Sequence, residues 1–219
     1  MLDALHDVPA YGIEPAAHLL AALAPQYPKH SVFLAVVDPG VGGRRDAIVV
    51  RADGRSFVGP DNGLLSIVWQ RARRRACWRI AWRPARLSSS FHGRDLFAPV
   101  ATALAAKHPP RGWLAPKPEP DVLLDPRDLA QVIYIDHYGN AMTGLRAERF
   151  LKESKIIVRT RAISNARTFE RAPGPFWYEN SMGLVEIASP RGSAAKQLGL
   201  RVGSRVSRAA RRSRSRGSR

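Results

Sequence analysis

The segment that most restricts the fold is Ser31-Val32-Phe33-Leu34-Ala35-Val36-Val37, an unbroken apolar, largely β-branched run that ends abruptly in Asp38-Pro39-Gly40-Val41-Gly42-Gly43. A run this short offers no polar face to water, so it is expected as a strand of a sheet covered on both faces. The proline and glycines that follow stop it and supply a turn whose backbone N–H groups can approach a ligand closely. An aspartate at such a strand end stands where open α/β sheets place ligand-contacting groups. Taken alone, the same residues read first as a plain strand-to-strand turn. The spacing and the absent lysine exclude a phosphate loop.

The surrounding pattern extends that strand into a domain. Residues 13–23 place alanine and leucine at helical spacing and stop at Pro25. Residues 47–51 read as a second strand, Asp53-Gly54 as a hairpin turn, and 56–58 as the return. Residues 64–73 read as a helix, 78–82 as a strand, and 95–107 as a helix with Leu96, Val100, Ala103 and Leu104 on one face. This mixture predicts an α/β domain with a central, mostly buried sheet over residues 1–108. Proline then accumulates in Pro109-Pro110 and Pro116-Lys117-Pro118-Glu119-Pro120, so residues 109–128 are expected as an extended linker. Beyond it, 131–136, 155–159 and 184–188 read as short strands, which predicts a small all-β domain over residues 129–206.

Composition narrows the function classes. With 219 residues, 45% of them hydrophobic, the chain can bury an ordinary core. No apolar run nears the roughly 20 residues of a membrane span. Asp3, His6, Asp7 and Pro9 stand where a signal peptide would have its basic and apolar regions. A cytoplasmic location without membrane contact is therefore expected. The single cysteine, Cys77, excludes an internal disulfide and a cysteine-built zinc site; beside Trp78 it reads as packed rather than nucleophilic. The net charge of +17 is unevenly spread, because residues 201–219 hold eight arginines and no acid. The Arg/Ser tail, 207–219, is expected to be disordered and to contact polyanions weakly and in a salt-dependent way.

Four further clusters could carry chemistry. Gly59-Pro60-Asp61-Asn62-Gly63 reads first as a turn, with Asp61 or Asn62 able to cap the helix that follows. Phe91-His92-Gly93-Arg94-Asp95 leads into a helix that Asp95 could cap, and His92 either faces a cleft or serves as an ordinary hydrogen-bonded residue. Ile135-Asp136-His137-Tyr138-Gly139-Asn140 makes either a plain turn or the rim of a polar pocket. Phe176-Trp177-Tyr178-Glu179-Asn180-Ser181 sets aromatics beside amide and hydroxyl groups, which suits a purine and suits a small core equally.

In this order, VVDPGVGGRR, GPDNG, SFHGRDLFAPVA, IDHYGNAMT and YENSMGLVEIA resemble the SAM (S-adenosyl-L-methionine) hydroxide adenosyltransferases, and the match runs over roughly residues 3–205. These SAM hydrolases are relatives of the fluorinase and chlorinase enzymes. The resemblance implies an N-terminal α/β domain joined to a C-terminal β-barrel, and a homotrimer with active sites between subunits. It implies hydrolysis of SAM to adenosine and methionine without metal or cofactor. The catalytic set falls on Asp38, Arg45 and His92. Tyr11 and Phe91 fall beside the nucleoside, Asp136 at the methionine amino group, and Asn140 at the adenine edge. Asn180-Ser181 falls at the methionine end, followed by Met182 where the halogenases carry an arginine. The halogenases have an aromatic residue at the positions of both Asp38 and His92. A carboxylate there would repel a halide, so water is the expected nucleophile.

The chemistry fits these residues. SAM is a sulfonium, so methionine departs as a neutral thioether when C5′ is attacked, and the leaving group needs neither a general acid nor a metal. Asp38 is expected to accept a hydrogen bond or proton from the water, with Arg45 and His92 fixing its position. Concerted in-line displacement is expected, rather than full deprotonation beforehand. Family members open with a strand reading like TDFG and a Gly-rich helix before the segment resembling residues 3–9. The chain is therefore expected to lack that first strand and helix, with the aspartate that holds the ribose diol, and to expose a sheet edge. Two alternative readings follow: a catalytically weak or inactive relic that binds SAM or adenosine, and a nucleic-acid binder acting through the basic tail.

Overall fold

A computed structural model describes residues 1–151, 153–170 and 172–209. The chain divides into two compact units, Met1–Arg127 and Asp128–Arg219. The first is built on a five-stranded sheet whose strands are β1 (Val32–Leu34), β2 (Ala47–Ala52), β3 (Arg55–Pro60), β4 (Arg75–Ile80) and β5 (Leu114–Lys117). Their order is β1-β3-β2-β4-β5; β1 is parallel to β3, and every other pair is antiparallel. The β2–β3 turn is the expected Asp53-Gly54, with φ of 46° and 86°, the positive values a two-residue type I′ turn requires.

Strand alternation feeds two cores. Ile48, Val50, Phe57 and Cys77 face α1 (Ile13–Leu23) and α2 (Ser66–Arg71), whose Ala16, Val68 and Trp69 complete that cluster. Ala47, Val49, Val58 and Ile80 face the other way, against Leu96, Phe97 and Val100. Those three come from a π-helical turn, Gly93–Phe97, that runs on into α3 (Ala98–Ala105). Covering on both faces explains why β2 carries no polar face. Each fully buried Val or Ile contributes about 1.5–3 kcal/mol relative to exposure. Burial also pushes the Cys77 thiol up to about 12, so it is a packed residue.

Several expectations are corrected. The run 31–37, expected to be covered on both faces, keeps ladder geometry only at β1, which lies at an edge of the sheet; Leu34 is 47% and Val36 44% exposed. Among the described residues β3 is the one strand neighbour of β1, whose apolar side is covered only in part, by α1 and residues 4–8 across an open cleft of about 120 Å³. The segment 109–128 is more than a linker, because β5 lies within it and pairs with β4, so that strand belongs to the first sheet. Asp95 lies inside the π turn and accepts from Ser88 N at 3.1 Å instead of capping a helix.

The second unit contains β6 (Leu129–Ile135), β7 (Ala141–Arg146), β8 (Ile156–Val158), β9 (Arg161–Ile163), β10 (Phe176–Glu179), β11 (Leu184–Ala188) and β12 (Val206–Arg208). A four-stranded sheet, β10-β11-β7-β6, and a three-stranded sheet, β12-β8-β9, share one core that includes Val132, Ile156, Trp177, Ile187 and Val206. Isolated bridges link them at both edges, Gln131↔Arg205 from β6 to the residue before β12 and Asn165↔Trp177 from the residues after β9 to β10, so the second unit is two antiparallel sheets joined by bridges rather than by continuous strand ladders. α4 (Ala194–Leu198) closes one side of the core, its first turn capped by Ser193 Oγ accepting from Lys196 N. Ser207 and Arg208, read from sequence as tail, pair with β8. The rest of the tail assignment, from residue 210, lies outside the described residues. Among the described residues no helix is long and apolar enough to cross a membrane.

Candidate active site

Asp38 follows β1 at the end of the 35–38 segment, Arg45 lies two residues before β2, and His92 immediately precedes the π turn. Three chain segments thus converge on one point. Arg45 Nε donates to both Asp38 carboxylate oxygens at 3.1 Å, and its Nη2 donates to Asp38 Oδ2. The same Nη2 lies 3.0 Å from His92 Nδ1. Because Arg45 can only donate, Nδ1 is the acceptor, and the neutral ring carries its proton on Nε2. Desolvation by burial, reinforced by the Arg45 charge, pulls the His92 pKa below its ordinary value, in keeping with a neutral ring. The Asp38 side chain is only 4% exposed. Phe97 lies beneath the guanidinium, 5.2 Å from Arg45 Cζ to the ring centroid, adding a cation–π contact.

Gly42 makes this convergence possible. Its φ is +79°, and a Cβ there would lie 2.4 Å from Ser89 O. Only glycine lets the 40–43 turn approach the loop that carries His92 so closely. A π turn immediately after that loop is a device often found at functional sites.

Asp38 and Tyr11 line a cavity of about 410 Å³ together with Leu5, Pro9 and Val36. Tyr11 is 80% exposed and has a positive φ of 62°. Phe91 is 57% exposed, with the Arg94 guanidinium 4.9 Å above its ring. The remaining candidate residues lie in the second unit. Asp136 and Asn140 fasten the β6–β7 turn: Asp136 Oδ1 accepts from Tyr138 N and Asn140 N at 3.0 and 2.8 Å, and Oδ2 accepts from Asn140 Nδ2 at 2.9 Å. In the β10–β11 turn, Asn180 Oδ1 accepts from Met182 N and Leu184 N, both at 3.0 Å, and its Nδ2 donates to Glu186. Asn180 therefore shapes its own turn, while Ser181 is exposed beside it. Buried Glu186 also accepts from Tyr178 OH, and nothing in the sequence pattern separated this glutamate from an ordinary alternating strand residue.

A second network borders the site and was not anticipated. Lys117 Nζ lies 2.7 Å from Asp121, 3.4 Å from Asp46 and 3.6 Å from the fully buried Asp61 side chain. The carboxylates of Asp46, Asp61 and Asp121 come within 4.8 Å of one another, but the Lys117 ammonium takes the place a cation would need. Arg45 Nη1 contacts Asp46 O at 3.5 Å, which joins this network to the Asp38–Arg45 pair.

Comparison with known proteins agrees with the motifs. Residues 1–113 match the SAM hydroxide adenosyltransferase N-terminal domain, and residues 130–207 match the corresponding C-terminal domain. The (R)-S-adenosyl-L-methionine hydrolase of Thermus thermophilus is 37% identical over 93% of this chain and 85% of its own length. That of Salinispora arenicola is 36% identical over 94% and 85%. Among solved structures, an uncharacterized conserved protein from Thermotoga maritima superposes with a TM-score of 0.86 at 28% identity, covering 95% of this chain and 88% of its own. The chain belongs to the SAM hydroxide adenosyltransferase family.

Proposed function

We propose that the chain hydrolyses SAM to adenosine and L-methionine by in-line attack of water at C5′. The observation that carries this reading is the Asp38–Arg45–His92 contact set at the cavity that Tyr11 also lines. In the reaction the water oxygen bonds to C5′, the C5′–S bond breaks, and its electron pair stays on sulfur as the thioether of methionine. As the bond to C5′ forms, one proton of the attacking water passes along its hydrogen bond to the Asp38 carboxylate and from there to solvent. Arg45 and its partner His92 hold the carboxylate in place, so the water is aligned at little entropic cost during reaction. Because the leaving group is neutral, the step draws on no cofactor. Asp38 stands where a halide would be repelled, which favours water over fluoride or chloride.

Tyr11 and Phe91 serve the nucleoside in this reading, and Asp136, Asn140 and Ser181 the adenine and methionine ends, with Asn180 setting the turn that presents Ser181. The assembly is taken as a homotrimer with sites between subunits, acting in the cytoplasm, and the second unit's two sheets as the family's barrel. The test is incubation of the purified protein with SAM, without added metal, with adenosine and methionine followed by chromatography. Adenosine formation is expected, reduced about 10²- to 10⁴-fold in Asp38→Ala; full activity in that folded variant would remove Asp38 from the mechanism. The arginines beyond residue 209 are read as a weak polyanion contact only. Deletion of 210–219 is expected to lower the salt concentration needed to elute the protein from heparin while leaving turnover unchanged.

A further inference from the structure

We propose that Asn62 is a positioning residue for Asp38, acting through the peptide that joins Val37 to Asp38. The proposal rests on the reading of Asp38 as the group that receives the attacking water. Ordinary strand pairing does not fix the Asp38 backbone. The bond from Ala35 N to Val58 O, at 3.0 Å, is the last from this segment to β3, and the chain then runs free of the ladder. At the Val37 carbonyl, Asn62 Nδ2 donates at 2.9 Å, reaching across from the turn that follows β3. That carbonyl belongs to the peptide preceding Asp38, so its orientation sets the direction of the Asp38 side chain.

Asn62 is itself held. Its Oδ1 accepts from Leu64 N at 3.2 Å, a local side-chain turn spanning two residues. One end of the amide therefore meets a donor and the other an acceptor, and the flipped amide would satisfy neither. The neighbouring residue completes the device. Asp61 N donates to Asp46 O at 2.9 Å, on the residue directly after Arg45. One turn thus grips the backbone beside Asp38 and the backbone beside Arg45. The relative placement of the two partners is set by Asp61-Asn62 as well as by their own ion pair.

The test uses the full chain and SAM turnover. Asn62→Asp keeps the acceptor for Leu64 N but loses the donor to Val37 O. It is expected to lower kcat about 10- to 100-fold with KM changed less than about threefold, the size of loss that small misplacement of a catalytic group produces. The introduced carboxyl regains a donor when it is protonated, so the ratio of variant to wild-type kcat is expected to rise as pH is lowered from 8 to 5. A role confined to stability predicts that kcat per folded molecule, with the folded fraction read by circular dichroism in the assay buffer, equals the wild-type value at every pH. Asn62→Ser, too short to reach Val37 but able to accept from Leu64 N, is expected to show the same loss without the acid recovery. In the Asp38→Ala background, Asn62→Asp is expected to cost less than about twofold, because two residues acting through one group are not additive.

Wild-type kcat in folded Asn62→Asp would overturn the proposal, as would unfolding of both variants, which would make Asn62 a folding residue. Full activity in Asp38→Ala would instead overturn the reading of Asp38. An inactive Asp38→Ala beside an unimpaired Asn62→Asp would leave that reading standing and remove only Asn62.

Discussion

His92 meets Arg45 as an acceptor, and that fixes the sign of its pH response. A neutral imidazole accepts the Arg45 proton at Nδ1, whereas a protonated ring would turn a second donor, and a second positive charge, toward the guanidinium. Burial and Arg45 lower the pKa of this histidine. A lowered value means that its contribution to stability is present above the ordinary imidazole pKa of about 6.5 and is lost as pH falls through the folded value. Turnover is expected to show an acid limb below about pH 6.5. In His92→Gln, whose amide oxygen can still accept from Arg45, that limb should disappear. A pH profile of kcat for both proteins decides the point: an unchanged acid limb in the variant would assign it to another group.

At the scale of elements, the site depends on loops brought closer than side chains permit, and the Gly42 turn is the sharpest instance. Gly42→Ala would meet Ser89 O and adopt a φ that costs an ordinary residue about 1–2 kcal/mol. The expected result is a drop of roughly 2–8 °C in thermal midpoint and a larger proportional loss of turnover, as the 88–92 loop moves His92 away from Arg45. Parallel melting and rate measurements check it, and a loss of stability with full turnover would show that the loop tolerates the shift. The same scale explains what the sequence made legible. Asp53-Gly54 announced its hairpin because the turn is written in two adjacent residues, and the helices and strands around it announced an α/β domain with a covered sheet. The run 31–37 read as a strand covered on both faces because apolarity reports a tendency to pack and does not say which elements do the covering, and Leu34 and Val36 are left exposed. β5 was hidden by Pro116, which fits an edge strand only. In the site, Asp38, Arg45 and His92 were reached through motif order. Asn62 was seen only as a turn residue, because its partner, the Val37 carbonyl, is backbone and leaves no mark in the sequence.

For the whole molecule, a net charge of +17 makes the few buried acids unusual, and Asp61 is the most buried of those in the Lys117 network. Its side chain has no solvent exposure, and desolvation raises its pKa above the ordinary carboxylate value, against the lowering effect of the Asp121 backbone N–H. A raised folded value means that the group's contribution to stability is fully present below the unfolded pKa of about 4 and is lost as pH rises through the folded value. Lys117 offsets part of that cost by standing among Asp46, Asp61 and Asp121, and removing it would leave three acids close together around a buried charge. Asp61→Asn keeps an oxygen to accept from Asp121 N and cannot ionise. Its thermal midpoint relative to wild type is therefore expected to become more favourable as pH is raised from 4 to 8, whatever constant offset the extra amide N–H group imposes beside Lys117. Melting curves of the two proteins across that range read the difference directly. A flat difference would mean that Asp61 and Lys117 are already balanced as a pair, and that the cost of the buried charge is met inside the network and not by the fold as a whole.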